Sequence, residues 1–191
     1  MRKESLLFTF PVRLKTFLPD HVSAVLMLER KCGLEVWRGQ DYMNLLLGDP
    51  HFHGFVATVA DDRAPTEGAS QQQGGTAGQG IEDRVVGGNE QIVGFIAGRI
   101  LPPNTEIYKL AVESGHQRQK IGSRLLERFI GIAWSRGVTD CFLEVRPSNK
   151  GAIAFYHLHG FVEHSTRSTY YKQPPEDALV MLLKLKRADV K

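Results

Sequence analysis

One short stretch of this chain has the composition of a phosphate cradle. Gln117, Arg118, Gln119, Lys120, Ile121, Gly122 and Ser123 follow a strand-like run, Ile107 to Val112, and open a long helical pattern. A helix start leaves about four backbone N–H groups without partners and carries partial positive charge, which suits a pyrophosphate. Arg118, Lys120 and Arg124 add positive charge there. Basic residues beside a helix start are also common as plain solvated charge, so both readings stay open at this level. Glu144 stands between Leu143 and Val145 on an apolar run and either does chemistry or pairs with Arg146 on the same strand face. Tyr156 is at helical spacing from Ala152, Ile153 and His159, where an aromatic is often core. His51/His53 and His157/His159 have H-x-H spacing, but no acidic or cysteine ligand follows at a suitable distance, and Cys32 and Cys141 form no ligand pair. No metal is expected.

These groups need a scaffold, and the pattern around them supplies an α/β one. The first strand is expected over Leu6 to Leu14, where Phe8, Phe10, Val12 and Leu14 alternate. Helical spacing follows from Leu18 to Cys32 and from about Gly39 to Leu47, where Gly48, Asp49 and Pro50 stop it. Phe52 to Val59 and Gln91 to Ile100 read as hairpin partners separated by Asp61 to Glu90. That Gly/Gln-rich segment, residues 61–90, buries too little apolar surface to offset its ordering entropy and is expected as a disordered insertion, with a partner-binding loop as the alternative. Next come a strand at Glu106 to Val112, a helix from about Lys120 to Arg136 and a buried strand at Thr139 to Val145. A helix from about Lys150 to His159 and strands at Phe161 to Glu163 and Leu179 to Lys186 complete the chain. The order implies a mixed central sheet with helices on both faces, in a single domain spanning 1–191.

Composition sets outer bounds. A chain of 191 residues, 42% hydrophobic and 24% charged, fits one domain with a sizeable core. No run approaches the roughly 20 apolar residues of a membrane span, and no signal-peptide pattern opens the sequence, so a cytoplasmic protein without membrane partners is expected. The net charge of +3 is too mild to predict a direct nucleic-acid partner.

Two motifs carry a resemblance. Gln117 to Gly122 is similar to the acetyl-CoA loop of GNAT acetyltransferases, written Q/R-x-x-G-x-G/A; Lys120 replaces the inner glycine, where a side chain is tolerated if φ stays negative. The segment Leu143-Glu144-Val145-Arg146-Pro147-Ser148-Asn149, followed by Ala152, Tyr156 and Gly160-Phe161, resembles the second hallmark of N-terminal acetyltransferases, above all the ribosomal-protein-alanine (RimI) type. Tyr170-Tyr171 with Glu176-Asp177-Ala178 also looks like that group, and Glu29 and Trp37 give a looser echo.

The resemblance implies a GNAT fold and acetyl-CoA as co-substrate. It places the cofactor on Leu110, Ala111 and Val112, on the loop Gln117, Arg118, Gln119, Lys120, Ile121, Gly122 and Ser123, and near Asn149. It gives Glu144 the role of base and Tyr156 that of acid to the leaving thiol, and puts Trp37, Tyr170 and Tyr171 at the acceptor. Such residue types fit the reaction, because acetyl transfer to an amine needs a neutral nucleophile, a stabilised carbonyl oxygen and a protonated thiol. The implied acceptor is the N-terminal α-amine of a protein, ribosomal or otherwise, attacked directly in a ternary complex. The alternatives are a small-amine, polyamine or lysine acetyltransferase and a non-catalytic acyl-CoA-binding protein.

Overall fold

The strand β3 (Glu90–Leu101) shows how the sequence builds a two-faced sheet. Ile96 and Ile100 turn to one side and Phe95 and Ala97 to the other, all of them buried. A strand buried on both faces needs cover on both. The structure, a computed structural model, describes residues 11–60 and 90–185. Its elements are β1 (Arg13–Thr16), α1 (Val22–Lys31), α2 (Gly39–Gly48), β2 (Phe52–Ala60), β3, β4 (Asn104–Val112), α3 (Ile121–Ser135), β5 (Asp140–Val145), α4 (Lys150–Leu158), β6 (Val162–Lys172) and β7 (Pro175–Lys184).

They form one seven-stranded sheet in the order β1-β2-β3-β4-β5-β7-β6. Only β4 and β5 run parallel; every other pairing is antiparallel. One face carries α3, which buries Leu125, Leu126, Phe129 and Ala133, together with Tyr156 of α4. The opposite face carries Val22, Val25 and Leu28 of α1 and Tyr42 of α2. Each valine, leucine or phenylalanine among them contributes about 1.5–3 kcal/mol on burial, so the two cores hold the sheet from both sides.

Two irregularities interrupt β4. Ala97 pairs with Lys109 and Gly98 with Ile107, so Tyr108 is an extra residue. This bulge breaks the alternation and turns both Tyr108 and Lys109 to the α1/α2 face. Gly98 is required opposite it, since a Cβ there would lie 2.3 Å from the Glu106 carbonyl oxygen. The second irregularity is a parting of strands: parallel pairing with β5 stops at Ile107 and Leu143, although β4 runs on to Val112.

The expected mixed sheet, helices on both faces and hairpin between β2 and β3 are all present. Several boundaries differ, among them the start of β7 at Pro175 where Leu179 was expected, the end of β1 at Thr16 and the start of β4 at Asn104. Pro19–His21 is a 3₁₀ turn and α1 starts only at Val22, because Leu18 before the proline is extended. β6 runs to Lys172 instead of ending at Glu163; its residues are mostly exposed and polar, so no apolar alternation marks it. Glu90, expected in the insertion, opens β3. Residues 61–89 of that insertion, the Leu6-to-Phe10 part of the first strand and Lys186 lie outside the described residues.

Candidate active site

Where β4 and β5 part, the sheet has a slot. Glu113 N–H bonds to the Val93 carbonyl, so Ala111, in register with Phe95, turns its backbone groups into the β3 ladder. The alternate residues, Leu110 and Val112, turn theirs to the side that β5 has left. Of the three strand residues expected at the cofactor, Ala111 thus turns its backbone away from the slot and is itself buried. The Val112 carbonyl accepts from the Gln117 side chain at 3.0 Å, so that among the described residues the backbone groups left without a strand partner along the slot are those of Leu110 and the Val112 N–H.

Beyond β4 the loop reaches α3. This helix has no side-chain cap, and its N-cap residue is Lys120 at φ 61°. Arg118 is also left-handed, at φ 60°. The expectation that Lys120 keeps φ negative is therefore wrong; the lysine takes the conformation a glycine would adopt, at about 1–2 kcal/mol. Its effect is to present the first-turn N–H groups of Ile121, Gly122 and Ser123, which cannot bond within the helix. By contrast, α4 is capped by Asn149, whose Oδ1 accepts from Ala152 N–H at 3.0 Å. An uncapped start beside Arg118, Lys120 and Arg124 fits a pyrophosphate, which supplies the acceptors this turn lacks. Not every loop side chain is available for that: Gln119 donates to the Gly115 carbonyl, and the Ser123 hydroxyl meets His159 Nε2 at 3.0 Å.

Side-chain alternation puts the two candidate chemical groups on opposite sides of the sheet. Leu143 and Val145 point into the α3/α4 core beside Tyr156, so Glu144 between them points to the α1/α2 face. Both line one cleft of about 750 Å³, shared with Trp37, Leu110, Asn149, Tyr170 and Tyr171. The loop 117–123 does not line this cleft; it follows β4, whose Leu110 does. Tyr156 is 7% exposed, and burial holds its phenol well above the ordinary tyrosine range, so the group is kept protonated. No hydrogen-bond partner for its hydroxyl is found among the described residues.

Glu144 does not pair with Arg146, the partner its sequence position suggested. It pairs with Arg167 of β6, whose guanidinium also lies 4.8 Å from the Tyr170 ring centroid. Burial and the adjacent Glu144 carboxylate raise the Tyr170 phenol. Arg146 stacks on Tyr171 at 3.9 Å and bonds to Glu176 at 3.2 Å. The two tyrosines meet edge to face, 5.0 Å between centroids.

Trp37 is half-buried against Tyr42 and Tyr108, with Lys109 Nζ 4.5 Å from its ring. Beneath it is a group that sequence reasoning left as a loose echo. The Glu29 side chain is 0% exposed and accepts from Tyr42 at 2.7 Å, from Lys109 and from Trp37 N–H at 3.2 Å. Burial lowers the Lys109 ammonium despite that carboxylate. Glu29 follows Val22 and Val25 at seven- and four-residue steps, a carboxylate on an apolar helical stripe, and that was the available signal. Glu106, half-buried on β4, was also missed: it shares the face of Glu144, and burial followed by that like charge raises its carboxyl.

Comparison with known proteins agrees with this architecture. Residues 41–161 match the family described as "Acetyltransferase (GNAT) family". The [ribosomal protein bS18]-alanine N-acetyltransferase of Escherichia coli K12 is 37% identical over 97 residues. That alignment covers 50% of this chain and 66% of the relative, just under two thirds of its length. The crystal structure of the ribosomal-protein-S18-alanine N-acetyltransferase from Escherichia coli superposes with a TM-score of 0.67 at 22% identity, over 95% of this chain and 99% of that one. Arabidopsis thaliana Naa50 in complex with the bisubstrate analogue CoA-Ac-MVNAL gives 0.66 at 19% identity, over 91% and 99%.

Proposed function

The chain belongs to the acetyltransferase (GNAT) family, and from that membership we propose that it transfers the acetyl group of acetyl-CoA to the N-terminal α-amine of a protein. One observation carries the reading: Glu144 and Tyr156 flank the slot from opposite faces of the sheet. An amine entering from the α1/α2 face and a thioester entering from the α3/α4 face would meet there, without a covalent enzyme intermediate.

Acetyl-CoA supplies an activated acyl group. Its pyrophosphate would rest on the N–H groups of Ile121, Gly122 and Ser123, with Arg118, Lys120 and Arg124 around it and Asn149 near its pantetheine arm. The Leu110 backbone would hold the acetyl carbonyl. Glu144 would take the proton of the incoming ammonium. A free α-amine has a reference pKa of about 8 against about 10.4 for lysine, so this deprotonation costs roughly 3 kcal/mol less at an N-terminus. Tyr156, kept protonated by burial, would return a proton to the departing thiolate. Trp37, Tyr170 and Tyr171 would hold the first residues of the acceptor.

The Escherichia coli relative is named for N-acetylation of an alanine of ribosomal protein bS18, which supports this reading, and a ribosomal protein acetylated in the cytoplasm is our leading assignment. A small-amine or polyamine enzyme would want an acidic surplus. Along this cleft Glu35, Glu144 and Glu176 are balanced by Lys109, Arg146 and Lys172. The non-catalytic alternative rested on Lys120, which nevertheless takes the left-handed conformation.

A conjugate joining CoA through an acetyl spacer to the α-amine of a short peptide tests the proposal. It should compete with acetyl-CoA in steady-state inhibition and bind far more tightly than CoA or the peptide alone. Binding no tighter than that of CoA, or an equal effect from a conjugate joined through a lysine ε-amine, would count against it.

A further inference from the structure

The tyrosine wall of the cleft lies where the β6–β7 ladder fails. Arg167 pairs with Ala178 and Tyr171 with Glu176, so two extra residues of β6 lie between these pairs, and Thr169 among them is left-handed at φ 55°. Tyr170 therefore lies outside the ladder, where the nearest anchor is the Thr169 N–H donating to Asp177 Oδ1 at 2.8 Å, and Tyr171 is the first residue to rejoin it, at the edge of the irregularity.

We propose that Arg146 and Glu176 are positioning residues that set the tyrosine wall and so govern acceptor recognition, while leaving the pyrophosphate loop before α3 untouched. The guanidinium of Arg146 donates to the carbonyls of Gln173 at 2.9 Å and Pro174 at 3.0 Å and to Glu176 Oε2 at 3.2 Å. Its face lies 3.9 Å from the Tyr171 ring centroid. Glu176 in turn accepts from Ser148 N–H at 2.7 Å and from the Ser148 hydroxyl at 2.9 Å. Ser148 directly precedes Asn149, the cap of α4, and α4 carries Tyr156. Arg146 is two residues beyond Glu144. One clamp thus ties the hairpin bearing the tyrosines to the strand bearing Glu144 and the helix bearing Tyr156. A planar fork is needed, because it serves three acceptors and a ring face at once; lysine offers a point charge on a flexible stem. Both charged side chains are about one-fifth exposed, so the clamp is accessible to substitution without opening either core.

The inference rests on the peptide-amine reading for its kinetic part and stands apart from it for its structural part. Arg146→Lys should raise the peptide KM roughly ten- to a hundredfold, the scale of an ångström-sized misplacement, with kcat at saturating peptide changed much less. Its acetyl-CoA Kd by isothermal titration should stay within about twofold, since the amides of residues 118–123 are untouched. Hydrogen–deuterium exchange needs no acceptor: Arg146→Lys and Glu176→Gln should both accelerate exchange in residues 167–176 and leave residues 107–124 as in wild type. Unchanged exchange in 167–176, or exchange that rises equally in 107–124, would overturn the clamp. So would a peptide KM and an acetyl-CoA Kd that move together. Should wild type acetylate no peptide, the functional reading fails, and the exchange experiment alone still supports or overturns the clamp.

Discussion

The two sides of the slot are made of different materials. On the α3/α4 side the candidate cofactor cradle is mainly backbone, contributed by one contiguous stretch from Leu110 to Arg124, with a buried phenol beside it. On the α1/α2 side the proposed acceptor walls are side chains brought together from far apart: Glu29 with Lys109, Glu144 with Arg167, and Arg146 with Glu176. A backbone cradle tolerates many side-chain changes but depends on φ and ψ. A wall of paired charges depends on every partner, because removing one leaves the other without compensation.

The largest expected effect tests whether chemistry is shared across the slot. Tyr156→Phe on one side and Glu144→Gln on the other should each lower kcat by about 10²–10⁴, with acetyl-CoA binding preserved. Loss from only one of them, read by CoA release, would break the symmetry of roles. Next in size is stability. Lys109→Met strands the fully buried Glu29 carboxylate and should cost about 3–5 kcal/mol in a denaturant melt, while adding Glu29→Gln should recover part of it. An exposed-pair effect below about 1 kcal/mol would show that the network is not the anchor of the Trp37 wall.

A third expectation concerns pH. Raising a phenol's pKa extends its protonated form to higher pH, so the acid role of Tyr156 should survive past the ordinary tyrosine value of about 10. A kcat profile that falls well before that value would assign the acid elsewhere. The smallest effect sharpens the backbone side. Lys120→Gly removes a left-handed lysine and should raise stability by about 1 kcal/mol, with acetyl-CoA affinity unchanged or tighter. A large loss of affinity would mean that the Lys120 charge, and not the turn it makes, holds the ligand.

The same contrast separates what is legible in the sequence from what is not. Helix α3 and the loop before it are local, so spacing and composition announced both the helix and its anion-friendly start. Glu144 and Tyr156 were reachable through a motif that spans only 13 residues of chain. Lys120's conformation was not, because φ at a helix start is set by the turn it closes. Arg167 could not be picked out either: it lies in the exposed polar run His164-Ser165-Thr166-Arg167, which has no periodicity, and it meets Glu144 only through the β5-β7-β6 order. Glu29 and Lys109 are 80 residues apart, and only the burial of α1 on the β4 bulge joins them.

Turnover of acetyl-CoA on a short peptide with a free N-terminus, run beside the same lysine-containing peptide blocked at its N-terminus, tests the central claim most directly. The account predicts that mass spectrometry will find one acetyl group on the α-amine of the free peptide and none on the blocked one. Acetylation of the blocked peptide on lysine at a comparable rate would contradict it.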